Sequence, residues 1–255
     1  MALLRTSFVS TLLGLQDCSF TVIYPENPEF TSPLPVMYLL AGGFKDDTHW
    51  SRFTNIENYV RDLPMITVML GSEGAYIDWI EGPPGERMII EELIPFVERM
   101  FNTKASRDGR AIGGLSYGGY AAVKFALKYP HLFCSVVSHS GALSISKYPD
   151  KAYYAEYTDQ YKWSALSHGL GPSPAGGKDC LFYLAEQVDP TSVPAIRFDC
   201  GTEDVFLGEN REFAEHLVAL GIPHEYEEFP GEHNWLYWDN HVQEAIEFHK
   251  TRLSI

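Results

Sequence analysis

The chain has 255 residues, of which 45% are hydrophobic, 14% aromatic and 21% charged. That length allows one large domain or two small ones and a sizeable core, and the composition excludes a disordered or collagen-like chain. A net charge of −15 repels phosphate backbones and anionic lipid, and the longest basic cluster, 104–110, is broken by Asp108, so no nucleic-acid or membrane partner is expected.

Residues 1–15 begin like a secretory signal, but Arg5 and four hydroxyl residues interrupt the apolar run. They read as an alternating strand instead. No stretch approaches the ~20 apolar residues of a membrane span, so a cytoplasmic protein is expected. Residues 19–24 (SFTVIY) alternate and stop at Pro25 and Pro28. Residues 35–41 (PVMYLLA) are continuously apolar and end at Gly42 and Gly43, the pattern of a strand buried on both faces. A helix is predicted over 55–60 and a second buried strand over 65–70. Residues 88–101 carry apolar side chains at helical spacing, with Pro95 expected to kink the helix or restart it. A strand follows at 110–115, a helix at 117–128 and a strand at 133–139. Further strands are predicted at 193–200 and 224–229, and helices at 209–220 and 241–253. Gly221 closes the first of these two helices.

Strands thus alternate with helices, which predicts an α/β architecture: a mostly parallel central sheet flanked by helices, forming one domain over 1–255. Residues 144–182 break the rhythm and read as a short cap-like insertion. Cys18, Cys134, Cys180 and Cys200 are scattered, which argues against a metal site or a redox dithiol. No cofactor or metal is expected.

The sharpest motif is Gly114-Leu-Ser116-Tyr-Gly118, a G-x-S-x-G string. Alone it is weak. Here it follows an apolar strand and opens a helix, as a nucleophile elbow requires. Flanking glycines remove the Cβ atoms that would clash at so sharp a turn. A serine needs a base at neutral pH, and the order expected after it is an acid and then a histidine. Of nine histidines, His233 lies in the 230–235 loop after the last strand, on the sheet edge that carries Ser116. His139 ends a strand beside Ser140 and Gly141 and could line the site. Asp204, just beyond the Gly201 turn, is the favoured acid, with Glu203 and Asp199 as alternatives. The amide of Tyr117 is the first expected oxyanion donor. The second falls on Gly43 or Phe44 in the loop after the early strand. Aromatic residues crowd these loops, and Trp50, Trp79 and Trp235 are candidates for a substrate pocket.

Together these segments resemble the esterase D family of α/β-hydrolases, particularly the tributyrin esterase-type carboxylesterases. The resemblance includes Tyr38-Leu-Leu with its glycine loop, Trp50 ahead of 54–57 (TNIE), and 91–95 (EELIP). It continues through 114–120 (GLSYGGY), 140–143 (SGAL), 200–204 (CGTED) and 231–235 (GEHNW). It implies an α/β-hydrolase fold, a triad on Ser116, Asp204 and His233, and cofactor-free hydrolysis of short-chain carboxylic esters. The implied partner is a small-molecule ester, and the sequence leaves room for a homo-oligomer. Alternatives are an S-formylglutathione hydrolase, a feruloyl or acetyl esterase acting on plant-sugar esters, or a hydrolase fold kept for binding alone. One departure stands out: many relatives have His-Gly where this chain has Ala41-Gly42.

Overall fold

Burial along β3 (Val36–Leu40) alternates between two cores. Val36, Tyr38 and Leu40 pack on one face of the sheet, and Met37 and Leu39 on the other. Successive side chains of a strand point to opposite faces, so a continuous apolar run is a strand covered on both sides. The same holds for β4 (Ile66–Leu70), β5 (Arg110–Leu115) and β6 (Ser135–His139), all fully buried. The computed structural model describes residues 1–31, 33–43, 45–72, 76–79, 82–147 and 176–255.

With β1 (Ala2–Ser10), β2 (Gln16–Tyr24), β7 (Ala195–Gly201) and β8 (His224–Phe229), the strands form one eight-stranded sheet in the order β1-β2-β4-β3-β5-β6-β7-β8. β1 pairs antiparallel with β2, and β2 with β4; every other pairing is parallel. One face is covered by α1 (His49–Phe53), α2 (Ile56–Val60) and the last helix, α8 (Trp235–Leu253). The other carries α3 (Gly85–Arg87), a π-helical turn at Met88–Leu93, α4 (Ile94–Phe101), α5 (Tyr117–Lys128), α6 (Leu181–Gln187) and α7 (Leu207–Ala219). Parallel strands joined by crossovers bring the carboxyl ends of β3, β5, β6, β7 and β8 to one edge of the sheet, where the loops gather.

One expectation is corrected. The last helix begins at Trp235, six residues before His241, because Asn234 caps it: its side-chain carbonyl accepts the Tyr237 N–H at 3.1 Å. Pro95 restarts the helix, the second of the two outcomes expected for it. The preceding turn widens into a π-helix, with the Ile94 N–H bonded to the Ile89 carbonyl, and α4 restarts around the proline. The wider turn relieves the clash of a proline ring with the carbonyl four residues back. Helices α1 and α6 lack a periodic signature long enough to have been read from sequence. Of the 144–182 segment, Ser144, Ser146, Leu181 and Phe182 are buried in the body, and 148–175 lie outside the described residues.

Candidate active site

Ser116 stands between β5 and α5 with φ 55° and ψ −120°. A non-glycine residue with positive φ outside the left-handed well costs about 1–3 kcal/mol and persists only where its surroundings force it. Crowding supplies that force. A Cβ on Gly118 would stand 2.5 Å from the Ala41 carbonyl oxygen, and one on Gly114 would stand 2.5 Å from Gly118 C and O. The Ser116 N–H donates to the His139 carbonyl at 2.9 Å, and the Ala142 N–H donates to the Ser116 carbonyl at 3.2 Å. The serine is therefore gripped from β6 as well as from its own turn. Behind it, buried Lys124 of α5 pairs with Glu86 at 2.7 Å and Asp179 at 3.3 Å and donates to the Tyr76 carbonyl at 2.5 Å. Burial pushes the Glu86 carboxyl up, but the nearby Lys124 charge and hydrogen bonds from Lys124, Lys128 and Tyr129 outweigh it and hold the group at about 2.

The sequence-predicted base and acid converge on this serine. His233 Nε2 lies 3.1 Å from Ser116 Oγ, and His233 Nδ1 lies 2.9 Å and 3.1 Å from the two Asp204 carboxylate oxygens. A carboxylate only accepts, so Nδ1 carries the proton and Nε2 turns its lone pair to the serine hydroxyl. The Phe206 N–H also donates to Asp204 at 2.8 Å, fixing the carboxylate. Phe206 and Trp238 stand edge-on to the imidazole, with centroids 4.8 Å and 4.9 Å away, and wall it on both sides. The loops that carry Asp204 and His233 touch directly: a Cβ on Gly201 would stand 2.2 Å from the Gly231 carbonyl oxygen. Of the sequence alternatives, Glu203 is spent on the loop, its carboxylate accepting the Gly231 N–H at 2.6 Å.

The glycine loop after β3 lies against the elbow. The Cβ position of Gly42 is 3.5 Å from Ser116 Cβ, and that of Gly43 is 3.8 Å from Tyr117 Cβ. The amides of Gly43 and Tyr117 thus border Ser116, Tyr117 at a helix N-terminus whose first N–H groups have no intrahelical partner. Phe44, the other candidate donor, lies outside the described residues. Ala41 is fully buried and offers no side-chain hydrogen bond. Other groups order the loop instead. Tyr76 OH donates to the Ala41 carbonyl, and Trp50 Nε1 to the Leu40 carbonyl, both at 3.1 Å. Lys45 and Ser72 exchange hydrogen bonds. Buried Asp47 accepts from Ser19 at 2.9 Å, Thr21 at 2.6 Å and Arg5 at 3.3 Å. Burial holds the Tyr76 phenol far above its ordinary range, so it stays a donor.

Of the pocket candidates, Trp50 is fully buried beneath the loop, a packing position rather than an open wall. Trp235 is half-buried, stacked on Phe53 and His49 and edge-on to Trp50 and Trp238. Trp79 is half-buried beside Gly82. Sequence reasoning missed the supports: Tyr76, Asp47, Asn234 and the Phe206 amide. A carboxylate at Asp47 just after a glycine loop was the one available hint.

A mostly parallel sheet with a strained serine at the strand-to-helix turn, hydrogen-bonded to a histidine and an aspartate from later strand ends, defines an α/β-hydrolase. The model of the Esterase family matches residues 16–249, and the chain belongs to that family. It is 33% identical over 232 residues to an esterase of Mycobacterium tuberculosis, covering 78% of this chain and 48% of that protein. This chain therefore spans about half the length of that relative. It is 27% identical to an acetyl esterase of Caldicellulosiruptor saccharolyticus over 97% of this chain and 98% of that one. Among solved structures, the fluorophosphonate-binding serine hydrolase F of Staphylococcus aureus is similar, with a TM-score of 0.86 at 26% identity, covering 97% of this chain and 98% of that chain. No described helix is long and apolar enough to cross a membrane.

Proposed function

We propose that this chain is a serine carboxylesterase that hydrolyses short-chain esters of small molecules through an acyl-enzyme. The observation that carries the reading is the unbroken hydrogen-bond chain from Ser116 Oγ through His233 to Asp204, set at a strained elbow. His233 Nε2 takes the Ser116 proton as Oγ bonds to the ester carbonyl carbon. The carbonyl electron pair moves onto oxygen, and the Gly43 and Tyr117 amides hold that oxyanion. Its collapse breaks the bond to the alkoxide, which leaves as the alcohol with the proton from His233. Water then attacks acyl-Ser116 while His233 takes a proton from it, and collapse releases the acid and returns the proton to Ser116. Asp204 holds the imidazole tautomer and stabilises the imidazolium. These steps call on no metal or organic cofactor. The similarity to an acetyl esterase over nearly the whole chain supports a short acyl group. The −15 net charge favours neutral esters over anionic thioesters such as S-formylglutathione.

The test is hydrolysis of p-nitrophenyl esters from acetate to decanoate, with Ser116→Ala in parallel. Activity should peak at short acyl chains and fall about 10⁴-fold or more in the variant. A folded wild-type protein inert to every ester contradicts the reading.

A further inference from the structure

One strand away from the triad, the same chemistry is repeated in the interior. His139 ends β6 and Asp199 lies opposite it in the parallel register of β7. His139 Nδ1 is 2.8 Å from one Asp199 carboxylate oxygen, and Tyr237 OH donates to the other at 2.9 Å. His139, Asp199 and Tyr237 are 1%, 0% and 3% exposed. A buried carboxylate without donors is costly, and here each oxygen has one. Burial, and then the Asp199 charge, hold the Tyr237 phenol above its ordinary range, so it remains a donor. Nδ1 of His139 must likewise carry its proton, since a carboxylate only accepts.

None of these three groups has a place in the proposed acyl transfer, yet each is joined to a part that does. The His139 carbonyl accepts the Ser116 N–H at 2.9 Å. The Asp199 carbonyl accepts the Ser140 N–H at 2.8 Å, holding a residue at φ 48° whose segment reaches back to the Ser116 carbonyl through Ala142. Asp199 also precedes the Gly201 turn that presents Asp204. Tyr237 sits in the first turn of α8, and its N–H donates to Asn234, the neighbour of His233. Its ring fills the space above Gly231, where a Cβ would stand 2.6 Å from Tyr237 Cδ2. Trp50, which supports the glycine loop through Leu40, lies edge-on to the His139 ring at 6.5 Å between centroids. The nucleophile, acid, base and oxyanion loops therefore meet at one buried hydrogen-bonded group.

We infer that His139, Asp199 and Tyr237 form a positioning group that sets the distance and angle between Ser116 and His233. The inference rests on the serine-esterase reading. Proton transfer from serine to imidazole is steep in distance and alignment, so loosening this group slows the chemical step and leaves ester binding intact. The three residues act as a unit because Asp199 needs both donors at once.

The experiment compares wild type, Tyr237→Phe, Asp199→Asn and the double variant. It measures kcat and KM on p-nitrophenyl acetate, the rate and final extent of fluorophosphonate labelling, and the thermal midpoint. Tyr237→Phe removes one hydrogen bond and keeps the ring; Asp199→Asn keeps the shape but cannot accept from both donors. Expected are a roughly tenfold lower kcat per labelled site for Tyr237→Phe and roughly a hundredfold for Asp199→Asn, with KM within about twofold. Labelling should slow by the same factors and still reach completion. The double variant should be no slower than Asp199→Asn alone, as expected of residues in one network. Unchanged kcat per labelled site, with only the midpoint or KM altered, overturns the inference, as do independent, multiplying effects of the two substitutions. A wild-type protein inert to both ester and fluorophosphonate removes the esterase reading instead, so the two failures are distinct.

Discussion

At the elbow, a single methyl group on Gly118 has nowhere to go: it would meet the Ala41 oxygen at 2.5 Å and the Leu40 oxygen at 2.6 Å. At the loops that carry Asp204 and His233, a Cβ on Gly201 would meet the Gly231 oxygen at 2.2 Å, and the side chains beyond are held by hydrogen bonds. Crowding and backbone hydrogen bonds fix the Ser116 backbone irrespective of protonation. Hydrogen bonds fix the partners' orientation and tautomer as well as their place. Both regions are crowded at the backbone and differ at the side chain: Ser116 needs only to stand clear of the sheet, whereas His233 must present a particular nitrogen.

Asp204→Asn keeps the shape of the acid loop but offers the imidazole a donor where it needs an acceptor. It should lower kcat about 10³–10⁴-fold with KM little changed and the circular dichroism spectrum intact. Gly118→Ala attacks the crowded side. It should lower both activity, by about a hundredfold or more, and the unfolding free energy, by about 1–3 kcal/mol, as expected of overpacking against backbone. If Gly118→Ala lost activity at unchanged stability, crowding would not be what holds Ser116. Asp47→Asn tests the loop that stands in for the missing histidine. It weakens the contacts to Ser19, Thr21 and Arg5, and steady-state kinetics should show kcat reduced by about tenfold through a less rigid oxyanion loop.

A further effect is a pH dependence of stability behind the elbow helix, which leaves the triad itself untouched. The Glu86 carboxyl is held at about 2, below its ordinary 4.5. A carboxyl depressed by folding stabilises the folded state above its unfolded value, and that contribution is lost as pH falls from about 4.5 toward about 2. Denaturant unfolding of the wild type should therefore weaken across that window, by up to about 1.4 kcal/mol per pH unit from this group. Glu86→Gln should flatten that slope while lowering stability at neutral pH, because it leaves Lys124 buried with one fewer counter-charge.

Much of this was legible in the sequence because the signals are local. The apolar runs at 36–40 and 66–70 name their strands, and the glycines around Ser116 name the turn. The order serine, aspartate, histidine, with each residue just past a strand, names the site without any knowledge of contacts. What escaped depends on contacts between distant segments. Asp199 reads as an alternative acid at the end of a strand until His139 and Tyr237, 60 and 38 residues away, are seen to donate to it. Trp235 to Asn240 reads as an aromatic loop because the cap that starts the helix is a single asparagine. Trp50 reads as a pocket wall because position in sequence near a site does not tell which way an indole turns; here it turns inward to the Leu40 carbonyl.

In the proposed mechanism Ser116 carries the acyl group. The most direct test is intact-protein mass spectrometry after treatment with a fluorophosphonate, followed by peptide mapping, on wild type and Ser116→Ala. One adduct per chain is expected, located on Ser116 and absent from the variant. An unlabelled wild-type protein that remains folded, or an adduct mapped to any other residue, would contradict it.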